Sequence, residues 1–154
     1  MIAVLQRIEN ASVVSDGVLT GSVGKGLFLL LGVLEGDDRE DARLLAEKIA
    51  KLRIFTDAAD KMNLSVNDVN GGVLVVSNFT LAANYAKGNR PDYMNAAHPS
   101  VAEPLYEEFV SLMRERVPEV ATGVFGADMK ITMTADGPVT IVMDSHLLRK
   151  GGRA

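Results

Sequence analysis

The sequence contains no cysteine. Disulfides, thiolate zinc sites and a cysteine nucleophile are therefore excluded. The absence suits a reducing compartment, and a cytoplasmic location is expected. Histidine is scarce: His98 and His146 are the two, and neither has a partner histidine or cysteine at metal-ligand spacing. Surface or capping roles are expected for both. There is no GxSxG nucleophile elbow and no GxxxxGK[ST] phosphate loop. "GSVGKG" at 21–26 is rich in glycine, but it lies between two strand-like runs and reads as a turn. Long apolar runs are also missing. The longest, "LFLLLGVL" at 27–34, is far too short to span a bilayer and reads as a buried strand. The first ten residues carry charge too early for a secretory core, so no membrane partner is expected. Positive charge is not in excess. The net charge of −4 argues against broad, non-specific nucleic-acid binding. Arg149, Lys150 and Arg153 cluster at the C-terminal end, where a solvated tail is expected.

The 154 residues, 47% of them apolar, can form one core. No repeat, linker or low-complexity segment divides them, so residues 1–154 are read as a single domain. The first fourteen residues read as a strand, although Arg7 breaks the apolar pattern. Asp16-Gly17 marks a turn, and a short strand, a second turn at 24–26 and the buried strand follow. Residues 37–55 read as a helix capped by Asp37 or Asp38, with Leu45, Ile49 and Leu52 on one face. The acidic start of that helix, "DDRED", reads as solvated. Residues 71–81, "GGVLVVSNFTL", read as a strand leading into something less regular. Residues 100–117 read as a second helix, with a Ser100–Glu103 capping box, Pro104 near the first turn, and an apolar stripe of Val101, Leu105, Phe109 and Leu112. Two last strands, at 128–135 and 138–144, form a hairpin around Asp136-Gly137. The expected class is α+β: a mixed or antiparallel sheet, layered and barrel-like, with about two main helices.

Three segments are unusual. In "VVSNFTL" a buried strand runs directly into Ser77, Asn78 and Thr80 around Phe79. "KGNRPDY" at 87–93 is a basic loop. "DGPVT" places Pro138 inside an apolar, strand-like run, where proline cannot donate to a ladder. Taken singly, each has an ordinary explanation: a strand end with hydroxyl hydrogen bonds, a solvated turn, and a proline opening a strand.

Taken together, "SNFTL", "KGNRP", "AEPLYEEF" and "DGPVT", in this order and spacing, resemble the D-aminoacyl-tRNA deacylase family, first described as D-tyrosyl-tRNA deacylases. "AVLQRIENASV", "GKGLFLLLGV", "EDARLLAEKIAKLRIF" and "KMNLSV" extend the resemblance over nearly the whole chain. It implies a cytosolic homodimer that cleaves the ester between a D-amino acid and the tRNA 3′ end, with no cofactor and no metal. It places Ser77, Asn78, Phe79 and Thr80 at the reacting centre. It gives chiral selection to Ala135, Gly137, Pro138, Val139 and Thr140. In the family the Gly-Pro peptide is cis and crosses the dimer interface into the partner's pocket. Its two carbonyls then face the same way and can hold the substrate's α-amino group, while an L side chain would collide.

The resemblance also implies hydrolysis assisted by the terminal ribose 2′-hydroxyl, with the oxyanion held by backbone N–H groups near Phe79 and Thr80. A directly nucleophilic Thr80 ranks second, because no base is visible beside it in the sequence. Two signature positions differ. Asn78 stands where the family's SQFTL has Gln, and Ala135 where its NxGPxT has Asn. The loss of amide contacts at Ala135 is expected to loosen the selector, leaving it to packing and Asp136. The alternative function is a protein of the same fold that binds a tRNA 3′ end or a small ligand with weak hydrolysis.

Overall fold

The computed structural model describes residues 1–149. Its order of elements is β1 (Ile2–Ser15), β2 (Val18–Val23), β3 (Gly26–Gly32), α1 (Arg39–Ala50), β4 (Phe55–Thr56), β5 (Met62–Leu64), β6 (Gly72–Ser77), α2 (Pro99–Arg114), β7 (Val120–Thr122) and β8 (Met129–Asp144), with one-turn 3₁₀ helices at Phe79–Ala82 and Ser145–Leu148. The main sheet is mixed. Its order is β2-β1-β3-β6-β7, with β8 paired to β1, while β4 and β5 form a separate ribbon. Strands β3, β6 and β7 are parallel neighbours, and the others are antiparallel. The far edges approach each other: a Cβ on Gly21 of β2 would stand 2.5 Å from the Thr122 carbonyl of β7. The sheet is thus nearly a barrel, and the α+β class with two helices is as expected.

Strand β1 organises this sheet. Residues 2–8 pair with β3 and residues 11–15 with β2, while the other edge pairs with β8 along its length. The Asp16-Gly17 turn has φ of +47° and +82°, the backbone a tight two-residue hairpin requires. Alternation along β1 feeds two cores. Ala3 and Leu5 join a large cluster with the helices, including Leu45, Ile49, Phe55, Phe109 and Met113. Ile8, Ala11 and Val13 turn into the barrel with Phe28, Leu74 and Val76. Each fully buried large side chain contributes about 1.5–3 kcal/mol.

Five expectations change. Residues 129–144 are one strand rather than a hairpin, because β1 is long enough to pair with both halves. Helix α1 ends at Ala50, so Leu52 packs on the core from beyond the helix. Helix α2 is capped by His98, not Ser100. Pro99, with no N–H and a helical φ, suits the first helical position. Pro104 is consequently inside the helix rather than in its first turn, and Val101 is exposed while Ala102, Tyr106 and Val110 are buried. Arg149 is not in a solvated tail. Lys150 and Arg153 lie outside the described residues.

The fifth change is at "DDRED". Asp38 caps α1 in a capping box with Asp41, but Asp37 and Asp41 are buried. Asp37 accepts from the Met1 ammonium at 2.6 Å and from the Leu34 N–H at 2.6 Å. Ser145 Oγ accepts from the Met1 ammonium at 2.7 Å and donates to Asp41 at 2.8 Å. Arg149 donates to Asp41 through Nε at 3.0 Å and through Nη2, and to Asp38 at 2.6 Å. His146 Nε2 lies 3.1 Å from Asp37. These carboxylates tie the chain's start, the entry to α1 and the end of β8 together.

Burial alone would raise the Asp41 carboxyl. Hydrogen bonds from Arg149, the Asp38 N–H and Ser145, with the nearby ammonium, outweigh it and hold the group well below the usual carboxylate range. The folded-state value lies below the unfolded value of about 3.9, so this stabilisation is complete above about pH 4 and is lost as pH falls further. Asp41→Asn is expected to lower Tm at pH 7 by about 5–10 °C. The gap to the parent protein should close as pH falls below about 4. Thermal melts of both proteins across pH check this, and a gap that stays constant overturns it.

Candidate active site

The segment expected to hold the reacting centre begins where a parallel ladder runs out. Leu31 pairs with Ser77, and the Asn78 N–H extends the pairing by one bond, 2.8 Å to the Leu31 carbonyl. The chain then turns through the 3₁₀ helix at 79–82. Gly32 leaves the room for this turn: a Cβ there would stand 3.0 Å from both the Asn78 carbonyl oxygen and Leu81 Cβ. Asn78 is the N-cap. Its Oδ1 accepts from the Thr80 N–H at 3.1 Å and from Thr80 Oγ1 at 2.5 Å. Among the described residues the Phe79 N–H meets no acceptor. One of the two N–H groups expected to hold an oxyanion is therefore engaged by Asn78, which leaves that of Phe79.

This turn forms one rim of a cleft of about 850 Å³. Leu31, Val33, Ala102, Tyr106 and Phe125 give it an apolar interior; Ser77, Asn78, Phe79, Tyr93 and His98 are also in its lining. Phe79 is 60% exposed, and its ring meets Tyr93 edge-on with centroids 5.1 Å apart. Tyr106 donates to the Val75 carbonyl at 3.0 Å, and burial pushes its hydroxyl up to about 12, so it remains a fixed donor. His98 Nδ1 is taken up by Ser100, through its N–H at 3.3 Å and its hydroxyl at 2.8 Å. The histidine is a cap, as expected. Thr80 Oγ1 has one hydrogen-bond partner among the described residues, the Asn78 amide oxygen. An amide oxygen accepts a hydrogen bond but is no base at neutral pH.

The second group of residues lies elsewhere. Gln6 pairs with Thr140 and Ile8 with Ala135, so the four residues 136–139 bulge out opposite the single residue Arg7. The Gly137–Pro138 peptide in this bulge is cis, and both residues are exposed. Arg7 fixes it. Its Nε lies 3.1 Å from the Asp136 carbonyl and 3.0 Å from the Asp136 carboxylate, and its Nη1 donates to the Ile54 carbonyl at 2.8 Å. Beside it, Gln6 Nε2 donates to Thr140 Oγ1 at 3.1 Å. The bulge thus has polar anchors from β1, and Asp136 acts through Arg7 rather than within a tight turn. Ala135 alternates with Ile131 and Met133 on one side of β8, and residues 130–135 are exposed on both sides.

The structure brings Ser77, Asn78 and Phe79 to the cleft with Thr80 beside them. It does not bring Ala135, Gly137, Pro138, Val139 or Thr140 to this cleft. The sequence reading missed the wall made by Tyr93, Tyr106 and Phe125, which three separate segments supply. It missed the anchoring role of Arg7, although the break in the β1 pattern marked that residue. It also missed that Asp37, Asp41 and His146 converge, with ligand atoms within 4.8 Å of one another. Their oxygens are already occupied by the ammonium, Ser145 and Arg149.

Comparison with known proteins gives the chain's family. Residues 4–144 match the family profile described as D-Tyr-tRNA(Tyr) deacylase. A D-aminoacyl-tRNA deacylase of Anaeromyxobacter dehalogenans is 55% identical over 148 residues, covering 96% of this chain and 99% of that protein. One from Chloroflexus aurantiacus is 53% identical over 154 residues, covering 100% and 96%. A solved structure of a c-Myc DNA unwinding element binding protein superposes with a TM-score of 0.87 at 37% identity, covering 94% of this chain and 98% of that one. A probable eukaryotic D-amino acid tRNA deacylase shares the fold with a TM-score of 0.79 at 16% identity, covering 92% and 97%. From the signature turn at Asn78 to the bulge at Gly137, the chain belongs to the D-Tyr-tRNA(Tyr) deacylase family.

Proposed function

We propose that this chain hydrolyses the ester of D-aminoacyl-tRNA, releasing the D-amino acid and the tRNA, in the cytoplasm and as a homodimer. The observation that carries this reading is a cleft rim with positioning groups, where the Thr80 hydroxyl has an amide oxygen and no base beside it among the described residues. Water attacks the ester carbonyl carbon, and the bond to the ribose 3′ oxygen breaks. The neighbouring 2′-hydroxyl is the group placed to pass the proton from the water to that oxygen. The Phe79 N–H serves the developing oxyanion, and the apolar cleft keeps competing water away. Thr80 as a nucleophile is disfavoured, since its hydroxyl faces an amide oxygen.

The partner subunit supplies the selector. β8 is sixteen residues long, and its edge away from β1 has no strand partner among the described residues. Ile131, Met133 and Val142 on it are exposed. Such an edge invites pairing with a second copy. The 136–139 bulge, exposed at Gly137 and Pro138 and outside its own cleft's lining, would then meet the cleft opposite. There the Gly137 and Pro138 carbonyls hold the α-amino group, and the backbone excludes an L side chain by collision. Rejection by a rigid element can discriminate more strongly than an added attraction.

Steady-state deacylation of D-Tyr-tRNA beside L-Tyr-tRNA tests the reading: rapid D-specific release supports it, and binding without release favours the ligand-binding alternative. Light scattering should give a dimer at micromolar concentration, and a monomer there removes the cross-subunit selector. A Cβ at Gly137 would stand 2.1 Å from the Val139 nitrogen, so the bulge cannot keep its shape with alanine. Gly137→Ala is expected to lower D-Tyr-tRNA turnover about a hundred-fold and to reduce the D-over-L ratio while Tm is nearly unchanged. Thr80→Ala, which keeps the backbone bond to Asn78, should cost less than roughly ten-fold, whereas a 2′-deoxy terminal adenosine should abolish most turnover. The reverse ranking would establish Thr80 as the nucleophile.

A further inference from the structure

Between the reacting turn and the cleft wall the chain makes an excursion, residues 84–92, that the chemistry above does not use. Its neck is closed by two backbone bonds, from the Asn84 N–H to the Asp92 carbonyl at 2.7 Å and back at 2.8 Å. Side chains brace the neck: Asn84 accepts from the Ala86 N–H at 3.1 Å, and Asp92 from the Met94 N–H at 2.8 Å. The excursion is therefore a built flap. Every residue from 84 to 95 is exposed. Tyr85 is 78% exposed, and neither Lys87 nor Arg90 has an ion-pair partner among the described residues. The flap's one carboxylate, Asp92, is turned to the neck. Immediately after it comes Tyr93, in contact with Phe79 on the cleft rim.

An exposed aromatic ring beside unpaired cations is the pattern that holds single-stranded nucleic acid: rings stack on bases, and cations follow phosphates. The chain as a whole carries −4, so this basic feature is local. Position narrows the partner further. An ester in the cleft is attached to a terminal nucleotide, and the unpaired nucleotides before it must leave over a rim. The flap stands on the rim formed by Phe79 and Tyr93. We infer that the 84–92 flap holds the unpaired nucleotides that precede the terminal adenosine, with Tyr85 stacked on a base and Lys87 and Arg90 against phosphates. This rests on the deacylase reading above.

The test compares D-tyrosyl-tRNA with D-tyrosyl-adenosine, which has the ester and terminal nucleoside but none of the preceding nucleotides. For Tyr85→Ala, the ratio of kcat/KM on the tRNA to that on the adenosine ester should fall about ten-fold. For Lys87→Ala with Arg90→Ala, the slope of log KM against log salt on the tRNA should flatten by about 1.4. Equal losses on both substrates, or no loss on either with the fold intact by circular dichroism, overturn the inference. A parent protein that hydrolyses neither ester removes the deacylase reading separately. Fluorescence anisotropy with a labelled RNA hairpin bearing a single-stranded CCA 3′ end then decides the flap. Binding that weakens in the variants supports it, and binding equal in parent and variants sinks it.

Discussion

The pairing of β1 with β8, and its interruption opposite Arg7, is the constraint on which the site depends. Two long antiparallel strands would ordinarily hide their backbones in one continuous ladder. Here the ladder runs on both sides of a gap, from Ile2 to Gln6 and, with a second irregularity at Glu9, from Ile8 to Ser15. Residues 136–139 are therefore held at both ends and pushed out in the middle. A free loop of four residues would sample many shapes, and ordering it would cost about 1–2 kcal/mol per residue. The flanking ladder and the Arg7 contacts have met that cost in advance. Arg7 is 11% exposed at its side chain against 42% for Asp136. The pair on its own is worth little, about 0–1 kcal/mol. Its value is geometric, since one guanidinium reaches the Asp136 carbonyl, its carboxylate and the Ile54 carbonyl together.

The same economy applies at the cleft. A protein without a poised base must gain rate from placement, and placement is large: well-oriented reacting groups account for about 7–11 kcal/mol of a barrier. A single preorganised donor toward an oxyanion adds about 3–4 kcal/mol. Asn78 fits such a scheme better than its short side chain suggests. Its Oδ1 is committed to the turn, where asparagine is among the strongest N-caps. It fixes the direction of the Phe79 and Thr80 peptides rather than touching a substrate through that oxygen. The departure from the family's Gln is in this light a change in how the turn is braced.

What could be read from the sequence divides by range. The Asp16-Gly17 turn, an N-cap at Asp37 or Asp38, the burial of Leu45 and Ile49, and the strand-to-turn change at Ser77 were legible, because neighbours within one turn decide them. The burial of Asp37 and Asp41 was not. Their partners Met1, Ser145 and Arg149 lie at the two ends of the chain, and "DDRED" viewed locally is an ordinary solvated start. The single strand β8 was hidden by the strongest hairpin signal there is, Asp-Gly between apolar runs. It was overruled by the length of β1, which no residue of β8 encodes. The residues of the candidate site were legible through the resemblance. Their separation into a cleft group and a bulge group was legible only in the coordinates.

Under the proposed selection by collision, that separation bears on how one small domain could both discriminate and stay stable. Selection by collision needs an exposed, rigid backbone, and an exposed strand edge is a hazard for aggregation. Placing the bulge on β8 puts both on the same strand. If a second copy covers the edge, the surface that most needs protection is also the one that delivers the selector, and an isolated subunit has neither. The buried carboxylates lie at the other end of that strand, where Ser145 and Arg149 follow it. They anchor the end of β8 to α1 and to the start of β1. The bulge is thereby fixed from its C-terminal side without any group in the cleft taking part.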